Sequence, residues 1–151
     1  MRSLFCILAL TFSCAALHAQ SNDDAIKATV NKLFDAMRNA DSAALRSCFT
    51  SEAIMQTVIN DKEGHVSVET SPVSGYVSHV AKMTKGDADE RIVFDMIKVD
   101  GNLASVWTPY SFYYKQRLHH CGADSFQLVK LNGEWKIQFV IDTRRKDGCK
   151  E

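Results

Sequence analysis

The sequence predicts a small α+β domain, with three helices in its N-terminal half and a curled antiparallel sheet after them. Apolar residues recur at helical spacing over residues 23–38. Two turn signals, Asp100-Gly101 and Asn132-Gly133, each lie between strand-like segments. The 151-residue chain suits one hydrophobic core. Together these observations favour one domain in which most of the sheet comes from the second half.

The first 19 residues have the order of an export signal. Arg2 gives a positive start, an apolar run follows over residues 4–17, and small Ala19 precedes polar Gln20. The apolar run is shorter than the roughly 20 residues that a membrane-spanning helix needs. We therefore expect a signal peptide over 1–19, a single domain over 20–151 without a membrane span, and a periplasmic or extracellular location.

The charge balance argues against a nucleic-acid partner. The chain has 18 basic and 18 acidic residues, and cleavage after residue 19 removes Arg2 alone among them, which leaves a net charge of about −1. Nucleic-acid binding needs a clustered basic face. The short run over residues 144–146 is better explained as the solvated end of a strand.

Three helices are predicted. The first spans Asp23–Arg38, and a short second helix starts at Asp41 or Ser42. A third opens with Ser71 as its N-cap and Pro72 at its first position. Hairpins are predicted from the segment pairs 53–59 with 65–69, 91–99 with 103–115, and 125–131 with 134–143.

The turn at Asn132-Gly133 predicts the register of the last hairpin. Continued from the turn, the ladder opposes Phe126 to Phe139 and Asp124 to Ile141, and opposed residues share a face. The buried face would then carry Phe126, Leu128, Trp135, Ile137, Phe139 and Ile141. A bulge beyond Asp124 would exchange the two faces there.

The strand over 103–115 is bulky on both sides. Trp107 and Tyr113 lie on one side, while Tyr110, Phe112 and Tyr114 lie on the other. One side can face the helices. The other favours a second subunit, which would give a homodimer through the outer face of the sheet.

The element order and four segments resemble the nuclear transport factor 2-like superfamily. The segments are Val99-Asp100-Gly101-Asn102-Leu103-Ala104, Trp107-Thr108-Pro109-Tyr110, His120-Cys121-Gly122 and Leu131-Asn132-Gly133-Glu134-Trp135-Lys136-Ile137. The chain is most similar to exported bacterial members, the lumazine-binding-like or polyketide-cyclase-like (SnoaL-like) group. The resemblance implies a cone-shaped fold with a pocket at the wide end of the sheet. Enzymatic relatives place an Asp or His and a Tyr there, whereas other relatives only bind ligands or partners.

The candidate catalytic residues are His120, Asp124 and Tyr110. The register puts His120 and Asp124 on the pocket face, but positions four apart on a strand are about 13 Å apart, too far for direct contact. The alternative is that both are solvated. Because consecutive strand residues point to opposite faces, His119, His120 and Cys121 are not expected to converge on a metal. We expect neither a metal nor a cofactor.

The first hypothesis for function is a non-catalytic domain that binds a small apolar or aromatic molecule. The expected pocket residues are Tyr76, Trp107, Phe126, Phe139, Ile141 and Thr143. One alternative is a polyketide-cyclase-like or isomerase-like enzyme that uses His120, Asp124 and a Tyr. Another is a structural or interaction protein with a filled cone.

Three cysteines remain after the predicted cleavage: Cys48, Cys121 and Cys149. An odd number in an exported protein permits one disulfide and one free thiol. Cys149 follows the last strand closely enough for the tail to fold back over the strand that carries Cys121. This favours a Cys121–Cys149 disulfide with Cys48 reduced in the core, and three free thiols are the alternative.

Overall fold

The computed structural model describes residues 22–149, so the predicted signal peptide lies outside the described residues. Helices α1, α2 and α3 span residues 22–38, Ser42–Ser47 and Val73–Val80. The strands are β1 Phe49–Asn60, β2 Val66–Pro72, β3 Ala88–Ile92, β4 Met96–Asp100, β5 Leu103–Tyr114, β6 Arg117–Leu131 and β7 Glu134–Arg145. The predicted α+β class with three helices and a large curled sheet is confirmed.

Helix α1 buries one face against the sheet. Phe34 meets Phe126 of β6 edge-to-face, with ring centroids 6.2 Å apart. The helix ends before Ala40, which takes a φ of 55°. The buried residues of α1 recur at helical spacing and are Ile26, Val30, Leu33, Phe34, Ala36 and Met37.

The two short helices differ in how they start. Asp41 caps α2, because its side chain accepts a hydrogen bond from the N–H of Ala44 at 2.9 Å. The prediction that Ser71 caps α3 was wrong. The N-cap is Pro72, without a side-chain cap bond. Ser71 pairs with Met55 of β1, so sheet pairing extends up to the start of the helix.

The strands within residues 22–149 form one sheet in the order β2-β1-β7-β6-β5-β3, and β4 also pairs with β5. Strands β1 and β7 are parallel, whereas the other pairs are antiparallel, so the sheet is mixed rather than wholly antiparallel. The predicted strand over 91–99 is two strands. Ile92 pairs with Tyr110 and Met96 with Trp107, which leaves one more residue on this side than on β5. This extra residue breaks the ladder as a bulge does.

The register of the last hairpin changes at Gln138. Leu128 pairs with Ile137, as the Asn132-Gly133 turn predicts, but Gln127 then pairs with Phe139 and leaves Gln138 without a partner. The side chain of Gln138 accepts a hydrogen bond from Thr50 Oγ1 at 2.9 Å and donates to the carbonyl of Glu52 at 3.2 Å. These bonds pair the Thr50 hydroxyl and the Glu52 carbonyl in an irregular segment of β1, which explains why the bulge forms there.

The bulge exchanges the two faces of β7 beyond Gln138. Phe126 pairs with Val140 and Asp124 with Asp142. The predicted pairings of Phe126 with Phe139 and of Asp124 with Ile141 were therefore wrong. Val140, Asp142 and Arg144 share the concave face with Phe126 and Asp124.

Candidate functional site

A cavity of about 510 Å³ lies between helices α1 and α3 and the concave face of the sheet. A cavity of this size is within the range of small-molecule sites. Its apolar and aromatic lining residues are Leu33, Phe34, Met37, Phe49, Met55, Pro72, Tyr76, Met83, Tyr110, Phe112, Phe126 and Val140. Its polar lining residues include Thr57, His79, Glu90, His119, His120, Asp124, Asp142 and Arg144.

Two aspartates face each other across neighbouring strands of the concave face. Asp124 of β6 pairs with Asp142 of β7. Like charges opposite one another destabilise a sheet. Asp124 is only 5% exposed, and its Oδ2 accepts a hydrogen bond from Thr108 Oγ1 at 3.0 Å. Burial raises the pKa of Asp124 to about 8; the charge of Asp142 also raises it, while the Thr108 bond opposes the shift.

Asp142 is paired with a cation, whereas Asp124 belongs to no ion pair within residues 22–149. Arg144 Nε donates to Asp142 Oδ2 at 2.7 Å. Thr57 Oγ1 donates to Asp142 Oδ1 at 2.6 Å and accepts from Arg144 Nη2 at 3.3 Å. The Asp142 partner helps to raise the pKa of Arg144 against the effect of burial.

Glu90 of β3 is a third carboxyl group of the cavity. Its backbone pairs with Phe112 of β5, which places it near the histidines of β6. Burial raises the pKa of Glu90 well above its ordinary value, and the charges of Asp124 and Asp142 raise it further. The pKa values of two of the three carboxyl groups, Asp124 and Glu90, are therefore raised by their surroundings, and Asp124 favours the protonated form near neutral pH.

Tyr110 crosses the concave face from β5 to β7. Its hydroxyl donates to the carbonyl of Thr143 at 2.9 Å and lies 3.4 Å from Asp142 Oδ2. Gly122 of β6 pairs with Tyr110 and lies beneath its ring, so the side chain can pass over the middle strand. Burial raises the pKa of the Tyr110 hydroxyl, which keeps it protonated as a donor.

A bulge places two consecutive histidines on the same side of β6. Leu118 pairs with Tyr113 and His120 with Phe112, which leaves His119 without a pairing partner. Both imidazoles line the cavity, and their Nδ1 atoms are 2.8 Å apart. The expectation that consecutive residues point to opposite faces was therefore wrong here. Burial lowers the pKa of His120 to about 4, and Arg144 and His119 lower it too.

The three predicted catalytic candidates, His120, Asp124 and Tyr110, all line the cavity. His120 and Tyr110 make an edge-to-face ring contact with centroids 5.6 Å apart. Asp124 shares no hydrogen bond with either residue among those found within residues 22–149. The structure thus brings the candidates to one cavity without forming an orienting dyad.

The predicted pocket residues divide into two groups. Tyr76 and Phe126 line the cavity. The other four, Trp107, Phe139, Ile141 and Thr143, do not line it. The Gln138 bulge turns the three on β7 to the outer face. Trp107 is 39% exposed and alternates with Val106 and Thr108, which are buried on the inner face.

Sequence reasoning missed Glu90, His119, Asp142 and Arg144. Asp142 and Arg144 could be placed in the cavity only from the correct register of β7. That register depends on a bulge that no turn motif predicts. His119 likewise depends on a bulge. Glu90 lies one residue before the strand that was predicted over 91–99, because β3 begins at Ala88, and its pairing with Phe112 was not predicted.

An exposed group of possible metal ligands lies in the turn between β1 and β2. It consists of Asp61, Glu63 and His65. Asp61 Oδ1 accepts hydrogen bonds from the N–H groups of Glu63 and His65 at 2.9 and 2.8 Å. These hydrogen bonds shape the turn, and they explain why the three side chains lie close together.

Cys121 and Cys149 are joined in a disulfide, with Cα atoms 5.5 Å apart. Cys121 is buried and pairs with Arg145 at the end of β7. The disulfide therefore ties the tail to the sheet next to the strand ends that carry His120 and Arg144. Cys48 is a free, buried thiol, and burial raises its pKa.

The fold and the cavity define a class of protein, the cone-shaped α+β domain with a pocket between its helices and its curled sheet. Residues 21–139 match a protein family described as "Putative lumazine-binding". Because the match covers most of the chain, the protein belongs to this family of the nuclear transport factor 2-like superfamily, as the sequence resemblance predicted. A comparison with curated proteins finds no match.

Solved structures similar to this chain share its fold. A nuclear transport factor 2-like protein of unknown function from Shewanella baltica is 20% identical, with a TM-score of 0.66 over 84% of this chain and 96% of that one. A protein with a cystatin-like fold from Novosphingobium aromaticivorans is 12% identical, with a TM-score of 0.68 over 93% and 92% of the two chains. A third, a domain of unknown function from Nostoc punctiforme, has a TM-score of 0.64 at 14% identity and covers 83% and 78%.

Among the helices within residues 22–149, none has the length and apolar character needed to cross a membrane.

Proposed function

We propose that this domain binds a small, largely apolar or aromatic molecule in the cavity and does not transform it. The observation that carries the proposal is the cavity itself, about 510 Å³ in volume, with a mainly apolar lining that also contains polar side chains. The family description supports a small-molecule ligand. A cavity of this size favours binding over the alternative of a filled cone.

The polar groups support binding without catalysis. The hydroxyl of Tyr110 is held by the carbonyl of Thr143. His120, with a pKa of about 4, stays neutral near pH 7 and is far from the value that suits a general base there. No hydrogen bond joins His120 to Asp124 within the described part of the chain, so the imidazole lacks the orienting carboxylate that acid–base sites often have.

A thermal-shift screen tests the proposal. The screen should contain lumazine and other small heteroaromatic molecules, because a ligand at 100 times its Kd stabilises the native state by about 2.7 kcal/mol. Gly75 of α3 lines the cavity, and an added Cβ there meets only Pro72, at 3.6 Å or more. We expect Gly75→Trp to fill part of the cavity and weaken binding.

The neighbouring change Ser74→Trp is the matched control, because Ser74 is exposed on the same helix and does not line the cavity. Binding that is equally weakened by both substitutions, or by neither, would place the ligand elsewhere. A screen in which no molecule raises Tm, together with native mass spectra free of any bound molecule, would count against the proposal.

An acid–base enzyme is the second candidate function. The observation in its favour is that Asp124, a buried carboxyl of the cavity, titrates near neutral pH. Deuterium incorporation next to the carbonyl of small ketones, followed by NMR in D₂O, tests this candidate without knowledge of the natural substrate. Exchange that Asp124→Asn abolishes would favour the enzyme, and exchange no faster than in buffer would dismiss it.

We also propose a homodimer through the outer face of the sheet. Met96, Trp107 and Ile54 are 39%, 39% and 45% exposed there. Burial of such apolar surface drives association. Light scattering coupled to gel filtration tests the proposal, with a dimer expected for the wild type and a monomer for Trp107→Glu. A monomeric wild type at micromolar concentration would refute it.

Export is proposed from the first 19 residues alone. We expect the protein to lose residues 1–19 by cleavage after Ala19 and to act in the periplasm or outside the cell. Intact mass spectrometry of protein from the cell-envelope fraction tests this. Material that retains these residues would exclude the cleavage.

A further inference from the structure

We propose that the ligand of the cavity is an organic cation, a small aromatic molecule with a protonated nitrogen that lies against the carboxyl groups of Asp124 and Glu90. This inference rests on the proposed binding function and names the chemical class of the ligand. It follows from the balance of charge in the cavity wall and from the aromatic rings around it.

Carboxyl groups outnumber the available cations in the wall. Asp124, Asp142 and Glu90 supply three carboxyls, and Arg144 is the one arginine or lysine that lines the cavity within residues 22–149. Arg144 is already engaged by Asp142 at 2.7 Å and by Thr57 at 3.3 Å. Neither Asp124 nor Glu90 belongs to an ion pair among the described residues.

Among the described residues, no histidine of the cavity forms an ion pair with Asp124 or Glu90. Burial and the neighbouring Arg144 lower the pKa of His120 to about 4. His119 and His120 are joined at 2.8 Å through their Nδ1 atoms, which requires at least one of the two nitrogens to lack a proton. His79 lines the cavity from α3. Asp124 and Glu90 thus remain without a positive partner in the part of the chain that the structure describes.

Without a cationic partner, the buried carboxyl group of Asp124 holds a proton at pH 7. A carboxylate as buried as Asp124 is costly unless it is paired. Its pKa of about 8 keeps it neutral at pH 7, and the pKa of Glu90 is raised in the same direction. When a ligand cation arrives, the carboxyl loses its proton to the buffer and the carboxylate pairs with the ligand nitrogen. Binding is therefore coupled to proton release.

Aromatic rings line the rest of the cavity. They belong to Phe34, Phe49, Tyr76, Tyr110, Phe112 and Phe126. The negative face of an aromatic ring attracts a cation, and this attraction is stronger where water is excluded. A neutral ligand gains only apolar burial from these rings. An anion would lie near the carboxyl groups, and Arg144 is already paired with Asp142. The wall thus favours a cationic ligand over neutral and anionic ligands of the same shape.

Isothermal titration with matched probes tests the inference. The probes are tryptamine, tryptophol and indole-3-acetate, and the phenyl series phenethylamine, 2-phenylethanol and phenylacetate, which keep the ring and change the charge. At pH 7 we expect each amine to bind roughly tenfold or more tightly than its alcohol, and each carboxylate to bind most weakly. Titrations in phosphate and in Tris should give different apparent enthalpies, because the two buffers take up the released proton with different heats.

Isosteric variants locate the charge. Asp124→Asn and Glu90→Gln remove the ionisable group and keep the shape, so the amine should lose roughly tenfold in affinity while the alcohol changes by less than about threefold. Glu69→Gln is the control, because Glu69 is exposed on β2 and does not line the cavity. Circular dichroism checks the fold of each variant. If Asp124→Asn does not fold, Glu90→Gln and the wild-type probe series still decide the question.

The outcomes separate this inference from the proposed function. An alcohol that binds as tightly as its amine, or amine binding without proton release, would overturn the cationic ligand and leave small-molecule binding intact. Failure of all six probes, in a protein whose Tm other neutral molecules raise, would have the same meaning. Failure of every probe and every screened molecule would overturn both.

Discussion

The ring of Tyr110 lies over Gly122, where a Cβ atom would be 2.8 Å from Cε1 of the ring and would overlap the carbonyl oxygen of Thr143. That carbonyl is the group to which the Tyr110 hydroxyl donates at 2.9 Å. Gly122 therefore lets a side chain from β5 reach across β6 to β7. This contact links three strands in the wall of the cavity.

Gly122→Ala should destabilise the protein by about 3 kcal/mol or more, because the added methyl meets backbone as well as the Tyr110 ring. Urea denaturation measures the change in the free energy of unfolding. Gly75→Ala is the control: an added Cβ there makes ordinary contact with Pro72, and α3 should gain roughly 0.5 to 1 kcal/mol. Equal midpoints for wild type and Gly122→Ala would show that the sheet has room at this position.

The stability of the protein should fall as pH rises from about 4 to about 8 through the contribution of Asp124. Its pKa is raised to about 8 in the folded state, whereas in the unfolded chain it returns to about 3.9. In this window the folded state binds more protons than the unfolded state, so each pH unit costs up to roughly 1.4 kcal/mol. Glu90 should act in the same direction.

Asp124→Asn removes this titration. At pH 8 the variant should be more stable than the wild type by roughly 2 kcal/mol or more, and near pH 4 the two should be similar. Thermal unfolding followed from pH 4 to 9 measures the difference, with Glu69→Gln as the exposed control. Parallel pH profiles for the wild type and Asp124→Asn would mean that folding does not raise the pKa of Asp124.

Local patterns were enough to predict the helices and most strands. The buried stripe of α1 is readable because it depends on residues three and four apart, and the Asn132-Gly133 turn fixes the first pairs of the β6–β7 ladder. The bulges at Gln138 and His119 could not be predicted from local patterns. Gln138 leaves the ladder because its side-chain amide forms hydrogen bonds with Thr50 and Glu52, which are distant in sequence.

The composition of the candidate site depends on those bulges. Without the bulge at Gln138, Ile141 would take the place of Asp142 in the cavity, and the pocket would be read as apolar. With the bulge, a second aspartate faces Asp124 and changes the chemistry of the site. Alternation along β6 alone correctly placed His120 and Asp124, because no bulge lies between them.

Trp135→Ala should cost about 3 to 5 kcal/mol of stability. Trp135 is 4% exposed and packs in the core beneath α1, where Thr29 donates to its carbonyl at 3.2 Å. Its Nε1 has no hydrogen-bond partner among the described residues. Trp135→Phe should therefore cost less, because it loses volume without losing a hydrogen bond. Chemical denaturation compares the variants, and an unchanged midpoint for Trp135→Ala would contradict its burial.

Loss of the Cys121–Cys149 disulfide should lower the free energy of unfolding by roughly 3 to 4 kcal/mol. The two cysteines are 28 residues apart in sequence, and a cross-link of that span restricts the unfolded chain by about this amount in the chain-entropy model. Cys121 is itself buried, so the comparison is best made with Cys149→Ser, which opens the bond at the exposed end of the chain and leaves the core residue in place.

Urea denaturation with and without a reductant measures the effect. The wild type should lose stability when reduced, whereas Cys149→Ser should be insensitive to the reductant, which controls for effects of the reductant on Cys48. In native, unreduced protein Cys48 should be the only thiol within residues 22–149, and it should react slowly with alkylating agents because it is buried and its pKa is raised. Because Cys121 lies between His120 and Gly122 and pairs with Arg145, reduction should also loosen the strand ends that carry the polar groups of the cavity. Non-reducing peptide mapping that finds Cys48 in a bridge, or three alkylatable thiols before reduction, would overturn this assignment.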